Sequence, residues 1–124
     1  MRLDHTIVPS RDKEVSSQFY MSIMGFKFGG VLGSAALVHV DENLTLRCDD
    51  RHSHKAHLAF HVTGEEFTQV LVRLKDEGVS YGATGSNLDM QVGQYAGGPR
   101  VYFADPAGNS IELMTVPTIR DAQP

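Results

Sequence analysis

The sequence predicts an α+β fold built from two βαβββ modules within a single domain, and three observations carry that reading. The two halves read alike: each has an apolar stretch with a leading histidine (His5, His57), an amphipathic segment stopped by a glycine (Gly25, Gly78), and then short β-like stretches. Apolar residues alternate with period two in the extended stretches and recur every three or four positions in the segments between them. The chain has 124 residues, enough for one hydrophobic core and too few for two ordinary domains. Module one is expected over 1–48, a polar linker over 49–55 and module two over 56–118.

The elements follow in order. Leu3 to Val8 reads as a strand and Asp12 to Met24 as a helix, capped by Ser10 or Asp12, with Val15, Phe19 and Ile23 as its apolar stripe. Phe26 to Leu32, Ala35 to Val40 and Leu44 to Cys48 complete the first module. In the second, His57 to Val62 is a strand. Thr63-Gly64-Glu65-Glu66 has the form of a capping box that opens a helix over Glu65 to Glu77, with Phe67, Val70, Leu71 and Leu74 on one side. Gly78 sits where a left-handed residue ends a helix. Val79 to Tyr81, Arg100 to Ala104 and Ser110 to Thr115 are strands, the last two joined by the turn Asp105-Pro106-Ala107-Gly108-Asn109. Thr84 to Pro99 reads as a long loop, able to act as a flap over a pocket. Gly97-Gly98-Pro99 is a turn entering a strand.

Composition narrows the function. With 15 acidic residues against 11 Lys and Arg, a net charge of −4 and no basic stripe, the chain lacks the electrostatic footprint for nucleic acid or an anionic membrane surface. A small-molecule partner remains. No apolar run approaches the ~20 residues of a membrane span, and the opening MRLDHTIVPSRDKE has no signal-like apolar stretch, so a cytoplasmic location is expected. Cys48 is the single cysteine, which excludes a disulfide framework, while six histidines make imidazole and carboxylate the natural carriers of chemistry.

Strand periodicity places those groups. In His57-Leu58-Ala59-Phe60-His61-Val62, the residues Leu58, Phe60 and Val62 face one way, and His57, Ala59 and His61 the other. In the last strand Ile111 and Leu113 form the apolar set, leaving Glu112 on the opposite face, where it is costly to bury unless paired or bound to a cation. His5 shares a face with Leu3 and Ile7. Two histidines and a glutamate on strands around one cavity form the donor set of a 2-His-1-carboxylate metal site.

Leu3-Asp4-His5-Thr6-Ile7-Val8, Phe19-Tyr20 ahead of Met24-Gly25-Phe26, His57-Leu58-Ala59-Phe60, and the run from Val101 through Asp105-Pro106-Ala107-Gly108-Asn109 to Leu113 together resemble the vicinal oxygen chelate superfamily. That superfamily includes glyoxalase I, fosfomycin-resistance thiol transferases, extradiol dioxygenases and bleomycin-binding proteins. The resemblance implies paired modules curled into a cup around a divalent metal held by His5, His57 and Glu112. It also implies a homodimer in which His5 reaches the metal bound by His57 and Glu112 of the other subunit.

Within the superfamily, the fourth ligand of glyoxalase I would fall at Leu46, on aligning Asn43 with Asn109, and is therefore missing. The thiol transferases carry a threonine where Ile7 stands, and no cationic phosphonate pocket is evident around Arg100. The tyrosine that precedes the metal glutamate in extradiol dioxygenases is matched by Tyr102, expected to point into the cup. His61 is the candidate acid/base, or else a hydrogen-bonded histidine at the mouth. The resemblance thus implies an Fe(II) dioxygenase, with Mn, Ni or Zn as other metals, acting on a small aromatic or enolisable substrate with adjacent oxygens. The alternatives are a metal-dependent lyase, isomerase or thiol transferase, or an antibiotic-sequestering protein. By a separate pairing of the two halves, Val38 with Tyr102 and His39 with Phe103, His39 is expected to face the helix layer. His52 and His54 near Cys48 suggest a weaker second metal site, and Met90, Met114 and Tyr95 are candidates to line an apolar pocket.

Overall fold

The structure, a computed structural model, describes residues 1–117. The expected end of the second module at residue 118 lies just outside them. Its elements run β1 (His5–Pro9), α1 (Lys13–Met24), β2 (Lys27–Leu32), β3 (Ala35–His39), β4 (Thr45–Asp49), β5 (His57–His61), α2 (Gly64–Asp76), β6 (Tyr81–Gly82), β7 (Gly93–Tyr95), β8 (Gly98–Ala104) and β9 (Ser110–Met114). The first sheet has the order β1-β4-β3-β2 and the second β5-β9-β8-β6, with β7 also on β8. The two βαβββ modules are thus present, the second with one extra short strand. The chain divides into two compact units, residues 1–58 with 104–110, and 59–103 with the chain from Ile111 on.

In the first unit β1 and β4 are parallel, and β3 is antiparallel to both β4 and β2. Val8, Val38, Leu46 and Cys48 are fully buried beneath α1, because alternate residues of each strand face the helix. The other face carries His5, Thr45 and His39 in one registered row and Ile7, Arg47 and Leu37 in the next. Asp12 caps α1, its Oδ1 accepting from the N–H groups of Glu14 and Val15, and Gly25 ends it at φ 74. The buried side of α1 is Ser16, Ser17, Tyr20 and Ile23, not the expected Val15, Phe19 and Ile23; Val15 is half exposed. A polar anchor decides the rotation: Tyr20 Oη donates to Asp105 Oδ2 at 2.6 Å, and the small serines let the helix lie close to the sheet.

That anchor belongs to the Asp105–Asn109 turn, which is also in the first unit. Asp105 Oδ1 accepts from Ala107 N–H and Asn109 N–H, and Oδ2 from Tyr20 and from Asn109 Nδ2. Asn109 Nδ2 also donates to Pro9 O at 2.7 Å, and its Oδ1 accepts from Ala56 N–H at 2.9 Å. Every polar atom of the fully buried Asn109 side chain is therefore used, and the motif ties β1, α1 and the entry to β5 into one structure.

In the second unit Thr63 and Glu66 form the expected capping box, and Phe67, Val70 and Leu74 are the buried side of α2. Gly78 follows at φ 68. Val101, Phe103, Ile111 and Leu113 are buried, so the residues between them face the other way. The expected Thr84–Pro99 loop is not wholly a loop. Gly93–Tyr95 pairs antiparallel with β8 through a two-residue turn, Ala96 at φ 52 and Gly97 at φ 88. Positive φ at both central residues gives a turn whose twist matches its strands, a signal Ala-Gly carries less clearly than Asn-Gly.

Two internal alignments need correction. Val40 N–H donates to Leu44 O as Asp105 N–H donates to Asn109 O, so Leu44, not Asn43, is the counterpart of Asn109. One residue of slip inverts the faces of a strand. The counterpart of Glu112 is accordingly Arg47, while Leu46 is buried in the core; and His39 lies on the face away from the helix, with Nδ1 2.8 Å from Thr45 Oγ1.

Candidate functional site

The predicted site residues all sit on faces away from the helices. On β9 the buried Ile111 and Leu113 flank Glu112 and turn it outward, and on β8 Val101 and Phe103 do the same for Tyr102. Tyr102 stands near enough to Glu112 to feel its charge: burial first, then that charge, push the phenol pKa above the ordinary value, while Arg100 works in the opposite sense. The phenol therefore stays protonated at neutral pH and is a donor.

Arg100 stands one strand period before Tyr102 and completes the cluster. Its guanidinium carbon lies 5.0 Å from the Tyr95 ring centroid and 5.3 Å from that of Tyr102. Its Nη1 is 3.9 Å from Glu112 Oε2, within ion-pair range but too far for a hydrogen bond. The buried Nε has no hydrogen-bond partner among the described residues. The absence of a cationic pocket around Arg100, expected from sequence, is thus half corrected: a single cation faces the glutamate, held by aromatic rings. The alternation Arg100, Tyr102 was the available signal, since period two puts both on one face.

His57 and His61 are exposed on β5, with Leu58 and Phe60 more buried between them, as the alternation requires. His61 Nε2 lies 3.2 Å from Thr115 O, which fixes that nitrogen as the N–H donor and leaves Nδ1 as the acceptor. His5 is half exposed on β1, its Nδ1 2.8 Å from Asp4 Oδ2. A carboxylate on Nδ1 leaves Nε2 as the ring nitrogen away from Asp4, an arrangement also common behind metal-bound imidazoles. Among the described residues of one chain, no three His, Cys, Asp or Glu side chains gather as a metal-holding group.

The weaker second cluster does not assemble either. The His52 and His54 rings stand edge to face with centroids 6.0 Å apart, whereas Cys48 is buried in the core. Burial, and next the Asp105 charge, push its thiol up to about 12. At the position where glyoxalase I is expected to place a fourth ligand, this chain has Arg47, whose guanidinium cannot ligate a cation.

Residues 2–113 match the family model of the Glyoxalase/Bleomycin resistance protein/Dioxygenase superfamily, and the chain belongs to that superfamily. Among solved structures it is similar to Oxidase ChaP-H2, at 29% identity over 94% of each chain with a TM-score of 0.86. It is also similar to Oxidase ChaP-H1, at 29% identity over 94% of this chain and 97% of that one, TM-score 0.84. A lactoylglutathione lyase from Agrobacterium tumefaciens shares the fold at 18% identity, covering 90% of this chain and 91% of its own, with a TM-score of 0.72. No protein of curated function matches the chain. Among the described residues no helix is long and apolar enough to cross a membrane.

Proposed function

We propose that the protein is a metal-dependent oxygenase, an Fe(II) dioxygenase acting on a small aromatic or enolisable substrate with adjacent oxygens. The observation that carries this reading is the tyrosine that shares the outward face with the candidate ligand Glu112 and feels its charge, in a chain similar to two oxidases over 94% of its length. The donor chemistry fits a divalent ion: two exposed imidazoles, one with its Nδ1 occupied by Asp4, and one partly buried carboxylate. His57 and Glu112 would hold the metal together with His5 of a second copy, in a homodimer with two sites. Bound there, Fe(II) would supply O₂ activation and open positions for the paired substrate oxygens.

The chain's own groups have separate tasks. Tyr102 donates its phenol proton toward an oxygen beside Glu112 and orients it. His61, held through Nε2, offers Nδ1 as the base for a substrate hydroxyl. Arg47 in place of a fourth ligand weighs against a four-ligand isomerase. The protein purified under anaerobic conditions should carry or take up iron near one equivalent per chain, and His57→Ala and Glu112→Ala should abolish it. Full metal content in both variants refutes the site. Turnover without O₂ uptake at an oxygen electrode refutes the oxygenase and points to Lewis-acid chemistry.

A further inference from the structure

Arg100 is held in an unusual way for a charged side chain. Its side chain is only 25% exposed, yet rings rather than hydrogen bonds position it, and its buried Nε lacks a partner among the described residues. An arginine serving only to neutralise Glu112 would be expected to form a close, forked pair with it. Here the nearest approach is 3.9 Å, which leaves the planar donor edge available. The Tyr95 and Tyr102 rings hold the guanidinium by cation–π contact without consuming its N–H groups, so an incoming anion meets a positioned donor group.

We propose that Arg100 is a specificity-determining residue that recognises an ionised oxygen of the substrate, and that the substrate binds as a dianion of a vicinal oxygen pair. The inference rests on the metal-site reading above. With the exposed, solvent-screened Asp4 behind His5 left aside, the formal charges of a divalent ion, the Glu112 carboxylate, neutral imidazoles and one guanidinium leave an excess of positive charge that a doubly ionised ligand cancels. Without Arg100 a singly ionised ligand would suffice. The two rings flanking the guanidinium also favour a flat, conjugated substrate over a flexible aliphatic one.

The test uses Fe(II)-loaded protein under anaerobic conditions, with 4-nitrocatechol as the probe, because its visible absorbance separates the monoanion from the dianion. Metal content is measured before the probe is added, so failure of the metal site is seen separately and takes this inference with it. The wild type should bind the probe as the dianion near pH 7. Arg100→Met should keep its metal and melting temperature but bind about 10-fold or more weakly, since it loses hydrogen bonds to a charged group. Arg100→Lys, which keeps the charge but not the fork or the stack, should fall between them. Should Arg100→Met prove too unstable to load, Tyr95→Leu leaves Arg100 in place, removes one stacking face and should weaken binding by roughly 3-fold. Unchanged affinity and spectrum in a metal-replete Arg100→Met or Tyr95→Leu protein overturns the proposal.

Discussion

Tyr20→Phe isolates the polar anchor of the first unit. The phenol donates to Asp105 Oδ2 at 2.6 Å, and Tyr20 is fully buried. Burial, followed by the Asp105 charge, raises its pKa, so the group remains a donor at any pH at which the protein folds. The substitution removes one oxygen and keeps the ring, so the cavity term is small. What is lost is a hydrogen bond to an acidic side chain, worth about 1.5–3 kcal/mol. The low end applies, because Asp105 keeps its other donors, the N–H groups of Ala107 and Asn109 and the Asn109 amide. About 1.5–2 kcal/mol corresponds to a drop in melting temperature of roughly 5–10 °C for a chain of this size. Urea unfolding should show a lower midpoint with an unchanged slope. A loss below about 0.5 kcal/mol, the level of an ordinary surface substitution, would refute the view that this bond orients α1.

Other consequences follow from single sites. Cys48 should react with a thiol reagent near neutral pH only after unfolding, because the fully buried thiol is pushed up to about 12; rapid stoichiometric labelling of native protein would contradict its placement. The Arg51 backbone N–H on Oδ1 holds the Asp49 carboxyl down at about 2, so its contribution to stability is present above the ordinary value of 3.8 and is lost as pH falls toward 2. Asp49→Asn should flatten the acid limb of a stability-against-pH curve. Ala96 adopts φ 52 in the β7–β8 turn, and Ala96→Asn should raise stability by about 0.5–1 kcal/mol in thermal unfolding. Gly82→Ala should do the opposite, since a Cβ there would overlap Asn87 O, a backbone atom that cannot swing aside.

Legibility from sequence differed between elements for physical reasons. The helix over 64–76 was readable because its capping box, apolar stripe and terminal glycine are all local devices. The first helix was readable in extent but not in rotation, since its orientation is set by a tyrosine whose partner lies far along the chain at Asp105. Glu112 and Tyr102 were placed on the correct face because buried residues bracket each of them on its own strand. His39 and Leu46 were not, because their faces depended on pairing His39 with Phe103 and Asn43 with Asn109, each one residue out of step. The equivalence with Asn109 is settled by the backbone hydrogen bonds of Val40 and Leu44, not by residue identity.

By itself the sequence determined the α+β class, the repeated module, the helix caps and the residues able to ligate a cation, since all of these arise from periodicity and side chains acting within a few positions. Only the tertiary structure decided that Asn109 closes a buried network joining β1, the Asp105 turn and the entry to β5, and that Arg100 is gripped by Tyr95 and Tyr102 opposite Glu112. Those contacts depend on register and on which strands lie side by side. A one-residue shift leaves composition and pattern almost unchanged while sending every side chain of a strand to the other face.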